Sequence, residues 1–164
     1  MLPPDGYLSF VDESLDGMLR IVGELGDDLA NKAPRLEGAN SPYAILFHCL
    51  GVMEYWAGRV VSGRTIQRDR AAEFRASGTV AEITSLVERA RAQLVADLKG
   101  LDPLAAPRVP PEGWDAPAAI GSTQEGVLLH ILDELSRHFG QMELTRDLLR
   151  SGWAVLREDA APAP

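Results

Sequence analysis

Apolar positions recur at spacings of three and four along four long segments, the signature of helices that each bury one face. The first runs from about Gly6 to Asn31, where Leu8, Val11, Leu15, Met18, Leu19, Val22, Leu25 and Leu29 form the stripe. Pro34 and Gly38-Ala39-Asn40 end it. The second opens at Ser41-Pro42, since Ser caps a helix and Pro suits its first turn. Ile45, His48, Val52, Tyr55, Trp56 and Val60 then fall near one face, and Ser62-Gly63 closes it. Residues 64–78 are charged and weakly periodic, a crossover loop with room for a short helix.

The third helix opens at Thr79-Val80-Ala81-Glu82, the pattern of a capping box. It carries Val80, Ile83, Val87, Ala90, Leu94 and Leu98, and Gly100 and Pro103 stop it. A Pro-rich loop from Asp102 to Gly121 follows, long enough to cover one end of a bundle. The fourth helix opens at a second capping-box pattern, Ser122-Thr123-Gln124-Glu125. It carries Val127, Leu128, Ile131, Leu135, His138, Met142, Thr145 and Leu149, and stops near Ser151-Gly152. No segment reads as a strand. The expected fold is all-α: a four-helix bundle with a long crossover and a Pro-rich loop before the last helix. Residues 1–158 form one domain in this reading, and the Ala/Pro-rich residues 159–164 a disordered tail.

Composition narrows the function classes. The net charge of −8 and the mixing of Arg64, Arg68, Arg70 and Arg75 with Asp69 and Glu73 leave no basic patch for nucleic acid. No apolar run approaches the ~20 residues of a membrane span. The first six residues lack a basic segment followed by an apolar one, so a cytoplasmic protein is expected. Cys49 is the only cysteine, which excludes an intrachain disulfide and a Cys-rich zinc site. Scarce Lys beside abundant Arg and Ala fits a high-GC bacterial genome.

A transition-metal site would therefore use His and carboxylates. All three histidines, His48, His130 and His138, lie on helices. His130, Glu134 and His138 run at i, i+4, i+8 and share one stripe. A lone His on an apolar face is ordinarily a hydrogen-bonded core residue. Glu134 changes the balance, because a carboxylate among core-facing residues needs a partner or a metal. Ligand atoms around one ion lie within a few ångströms of each other, and His130 and His138 are about 12 Å apart along the axis. The fourth helix can thus offer His130 with Glu134, or Glu134 with His138. Spacing does not choose between them. Cys49 points about 100° away from its neighbour His48 and reads as a small buried hydrophobe.

The segment Leu129-His130-Ile131-Leu132-Asp133-Glu134-Leu135-Ser136-Arg137-His138-Phe139-Gly140-Gln141-Met142 resembles the last-helix motif of the DinB-like superfamily. Asn40-Ser41-Pro42-Tyr43-Ala44-Ile45-Leu46-Phe47-His48 is similar to the second-helix motif that supplies its first ligand. Glu at the middle position, with Trp56-Ala57-Gly58-Arg59 through Arg70-Ala71-Ala72-Glu73-Phe74, resembles the actinobacterial branch of mycothiol S-transferases and mycothiol-dependent maleylpyruvate isomerase. The resemblance implies a metal held by His48, Glu134 and His138, and leaves His130 as an outer contact, a substrate contact or a core residue. The sequence carries no counterpart of the isomerase's second domain, so a stand-alone transferase is the closer match.

Three protein ligands leave an open position for catalysis. The implied cofactor is a divalent metal ion, zinc first, with Ni, Fe or Mn compatible with the same donors. The implied partners are a low-molecular-weight thiol such as mycothiol and a small electrophile, and a homodimer fits the superfamily. Arg59, Arg137 and Arg146 are candidate contacts for anionic substrate groups, and Trp114 is a candidate for the rim of the site. The alternatives are a non-catalytic metal-binding or stress-response protein of the same fold, and a metal-dependent hydrolase.

Overall fold

Residues 4–111 and 121–151 are described in a computed structural model, and helix is the only regular structure among them. Helix α1 spans Pro4–Ala30, α2 Pro42–Met53, α3 Arg70–Glu73, α4 Val80–Asp97 and α5 Gln124–Arg150. Residues Glu54–Val61 continue α2 as a π-helix. The four long helices of the hydropathy pattern are α1, α2 with its continuation, α4 and α5. The short helix expected in the crossover is α3. Trp114 and the proposed tail lie outside the described residues.

Contacts at the helix ends give the topology. The Tyr7 hydroxyl donates to the Leu128 carbonyl and Arg150 pairs with Glu24, so α1 and α5 run parallel. Arg91 pairs with Asp12 and Asp16, while the Val80 N–H donates to the Asp27 carboxylate at 2.7 Å, so α4 runs antiparallel to α1. Asp97 at the end of α4 accepts from Ser62 and Arg64 just past the π-helix, which makes α2 and α4 parallel. Parallel neighbours need a connection that travels the full length of the bundle, and residues 62–79 supply it. Helix α2 packs on α1, α4 and α5, whereas α4 and α5 do not touch.

That central place explains why α2 is apolar nearly all round: only Phe47 and Gly51 among its residues are not buried. The stripe read from its spacing is a part of a wider buried surface. Leu15, Met18, Ile45, Leu46, Ile83, Ile131, Leu135 and Met142 fill the space between the helices. Each such side chain contributes about 1.5–3 kcal/mol relative to exposure.

The caps agree with the sequence at two helices and differ at a third. Ser41 caps α2, its Oγ accepting from Ala44 N–H at 3.2 Å. Thr79 and Glu82 form the reciprocal capping box of α4. Helix α5 starts one residue later than the Ser122 pattern predicts: Thr123 is its cap, accepting from Gly126 N–H, so no carboxylate stands at the third helical position. The neighbouring loop takes over. The Gln124 and Glu125 N–H groups donate to the Ala105 and Pro103 carbonyls, and the second of these donors is one that the box would have served. Two further features are absent from the hydropathy pattern. Helix α1 is kinked at Gly26, whose φ of 66° is a backbone conformation that favours glycine. The wider turn of Glu54–Val61 is the other, and such turns recur at functional sites.

The crossover lies directly on α2 because two glycines let it. A Cβ at Gly58 would overlap the Arg64 guanidinium and stand 2.6 Å from Ile66. A Cβ at Gly51 would stand 2.7 Å from the Glu73 carboxyl carbon.

Candidate metal centre

The Ser41 cap starts α2 and places His48 two turns in, where the ring is fully enclosed. Glu134 and His138 come from adjacent turns of α5, on the side facing α2. One donor atom from each of His48, Glu134 and His138 lies within 4.8 Å of the others. The Glu134 Oε2 atom is 3.9 Å from His48 Nε2 and 3.6 Å from His138 Nε2. These are charge contacts, too long for hydrogen bonds. The two imidazoles meet edge to face with centroids 4.9 Å apart.

Each histidine is held by its other nitrogen. His48 Nδ1 donates to Glu73 Oε2 at 2.6 Å, and His138 Nδ1 donates to Gln141 Oε1 at 2.9 Å. In the neutral imidazole, each Nε2 is thereby left as a lone pair turned toward Glu134. His48 Nε2 is buried without a hydrogen-bond partner. A buried polar atom in that condition calls for a reason. Two imidazole lone pairs and a carboxylate are a donor set that zinc and other divalent ions accept. The residues therefore fit a metal.

Electrostatics favour an ionised carboxylate between the two rings. The close approach of His138, and then of His48, holds Glu134 far below the usual carboxylate range. Burial disfavours imidazolium at His48, but Glu134 and Glu73 together outweigh it and raise the group above its ordinary value. Burial likewise disfavours ionised Glu73, and His48 and Arg68 reverse that, keeping it anionic.

His130 is left out of this group. It meets the edge of Trp56 at 4.8 Å, half-buried, and burial lowers its pKa. A second set, His130, Asp133 and Glu134, also has donor atoms within 4.8 Å. There Asp133 is exposed and both its oxygens are held by Arg137, which leaves that set short of a free carboxylate. Arg59 stands over the Tyr55 ring at 5.7 Å, outside the three-residue group. Arg137 and Arg146 are engaged by Asp133 and Asp147. Cys49 is fully buried and its thiol is pushed up by burial, so it stays protonated.

Sequence reasoning missed Glu73, Arg68 and Phe74. Arg68 donates to both oxygens of Glu73, at 2.6 and 2.9 Å, and Phe74 stacks on His48 at 4.4 Å. All three sit in the crossover, whose weak periodicity offered no register. The available signal was Gly51, one turn beyond His48, marking a close approach of other atoms. A cavity of about 550 Å³ between the crossover and α4 is lined by Glu73 and Arg68 but by none of the three candidate ligands. Its buried carboxylates are already paired, Asp97 with Arg64 and Glu73 with Arg68.

Residues 7–151 match the family described as mycothiol S-transferase. The chain belongs to that family. It is thus a member of the DinB-like superfamily, in keeping with the all-helical bundle. The match covers α1 from Tyr7 onward and the other three long helices in full, and includes His48, Glu134 and His138. No curated protein matches the chain. Among the described residues, no helix is long and apolar enough to cross a membrane.

Proposed function

We infer that the protein is a metal-dependent thiol S-transferase in which His48, Glu134 and His138 hold a divalent cation, zinc foremost. The observation that carries this is the buried, partnerless Nε2 of His48 facing Glu134 and His138. When bound, such a cation lowers the pKa of a coordinating thiol so that the thiolate is available at neutral pH. The family description supports mycothiol as that thiol.

The protein's own residues do the remaining work. Gln141 keeps His138 in the tautomer that presents Nε2. Glu134 offsets part of the positive charge at the site. Phe74 covers one face of His48 and excludes water from it. Cys49 remains a thiol and does not compete with the substrate. In the overall change the substrate thiol gives up its proton, its sulfur bonds to the electrophilic carbon, and the leaving group departs with the bonding pair. Where the electrophile is an activated double bond, the neighbouring carbon takes the proton instead.

The test is conjugation of a small thiol to a model electrophile by the purified protein, with and without chelator, beside metal analysis. The expected result is stoichiometric metal and thiol consumption that chelator abolishes. Stoichiometric metal with no conjugation would overturn the transferase reading, and turnover without added thiol would indicate hydrolysis.

A further inference from the structure

Glu73 is the one buried carboxylate beside the candidate ligands that the proposed chemistry does not consume, and its surroundings are unusually complete. Both of its oxygens are occupied: Oε1 by Arg68 Nε, and Oε2 by Arg68 Nη2 and by His48 Nδ1. Its side chain is 7% exposed and that of Arg68 14%, so the pair is shielded from solvent. A buried ion pair of this kind contributes little net stability over an apolar substitute. Its presence at this position therefore needs another reason. The chain makes room for it at a cost, because Gly51 stands in the middle of a buried helix where Ala would favour helix by about 1 kcal/mol. Gly58 makes similar room for Arg64 and Ile66 of the same segment.

The geometry supplies that reason. An imidazole presents Nε2 as a lone pair only when Nδ1 carries the proton, and the group accepting that proton fixes both the tautomer and the rotation of the ring. His138 has an amide in this role, at an accessible position. His48 has an anionic carboxylate, locked by a two-point guanidinium contact and seated on a glycine. An anionic acceptor makes the opposite nitrogen a stronger donor than a neutral amide does.

We propose that Glu73, fixed by Arg68 and admitted by Gly51, is a positioning residue that sets the tautomer and donor strength of His48. The crossover segment thereby becomes part of the metal centre without touching the ion. The two-point contact also keeps Glu73 from rotating away from Nδ1. This inference rests on the metal-site reading for its consequence, but the His48 tautomer can be read without any metal.

The test compares wild type with Glu73→Gln and Glu73→Ala by two measurements. The first is the ¹⁵N shifts of the His48 ring in metal-free protein, which report which nitrogen is protonated. The second is zinc affinity by competition with a chromophoric chelator. The expected wild-type result is protonation at Nδ1. Glu73→Ala should populate the other tautomer and weaken zinc binding by about 10- to 100-fold, the usual range for loss of such a partner. Glu73→Gln, which keeps the shape and an acceptor oxygen, should retain the Nδ1–H tautomer and fall between the two in affinity. Should Glu73→Ala not fold, Glu73→Gln carries the test alone, since it lowers affinity only if the anionic charge matters. Unchanged ring shifts and unchanged zinc affinity in the variants would overturn the proposal. Wild type that takes up no zinc, with the tautomer change still seen in Glu73→Ala, would overturn the metal reading and leave the role of Glu73 in orienting His48 standing.

Discussion

The two nitrogens of His48 face two carboxylates, and the protein treats them in opposite ways. On the Nδ1 side, Glu73 is deeply buried and accepts three hydrogen bonds between 2.6 and 2.9 Å. On the Nε2 side, Glu134 is 25% exposed, and its contacts with His48 and His138 are 3.9 and 3.6 Å. One carboxylate has its bonding capacity filled by neighbours and acts on position. The other is anionic, with its contacts to both rings left long, and is the one suited to a ligand. Charge alone does not separate them, since both are held anionic. The difference lies in how completely each is paired.

The contrast breaks first if the residues on the open side prove dispensable. His48→Ala and Glu134→Ala should each weaken metal binding by about 100-fold or more, beyond the loss expected for an outer partner. His130→Ala should retain the metal. Isothermal titration with zinc, with metal analysis after dialysis, checks both, and retention by Glu134→Ala would move the centre elsewhere. Next comes Gly51→Ala, where two effects oppose each other. Gain in helix propensity is about 1 kcal/mol, while crowding of a packed interior costs about 1–3 kcal/mol. The Cβ would meet the Glu73 carboxylate, which Arg68 keeps in place, so net destabilisation is expected in urea unfolding.

Smaller effects mark residues remote from the contrast. Thr79→Ala should cost about 1 kcal/mol through loss of the α4 cap and leave zinc affinity unchanged. Glu82, the other half of that cap, gives a pH test. Hydrogen bonds from the Thr79 backbone and hydroxyl hold its pKa below the ordinary 4.5. Its ionised form therefore stabilises the fold above that value, and the contribution is lost as pH falls through the depressed pKa. The melting-temperature gap between wild type and Glu82→Gln should be full at neutral pH and close under acid conditions. A gap that widened toward acid would contradict the cap.

Hydropathy spacing made the bundle legible because each long helix repeats its apolar pattern over many turns. Ser41 and Thr79 were legible because capping is local chemistry. The Ser122 pattern misled because its helix-end donors are met by the carbonyls of Pro103 and Ala105, a tertiary event that four residues cannot report. The candidate site divided the same way. Glu134 with a histidine one turn away could be read from α5 alone, but choosing His138 over His130 depended on resemblance. In the fold, the placement of α2 beside α5 puts His48 against His138 and Trp56 against His130. Glu73 lay beyond reach because its importance comes from lying against His48 across 25 positions of chain, through a segment of weak periodicity.

The burial of Cys49 carries a consequence for durability. A catalyst that handles electrophiles is itself exposed to them, and a cysteine thiolate is the side chain they would consume first. The only cysteine in this sequence is adjacent to a proposed ligand, yet it is fully enclosed and kept as the unreactive thiol. On the proposed function, the fold would pair a site that makes a thiolate from the substrate with a protein that offers none of its own, a safeguard against self-inactivation.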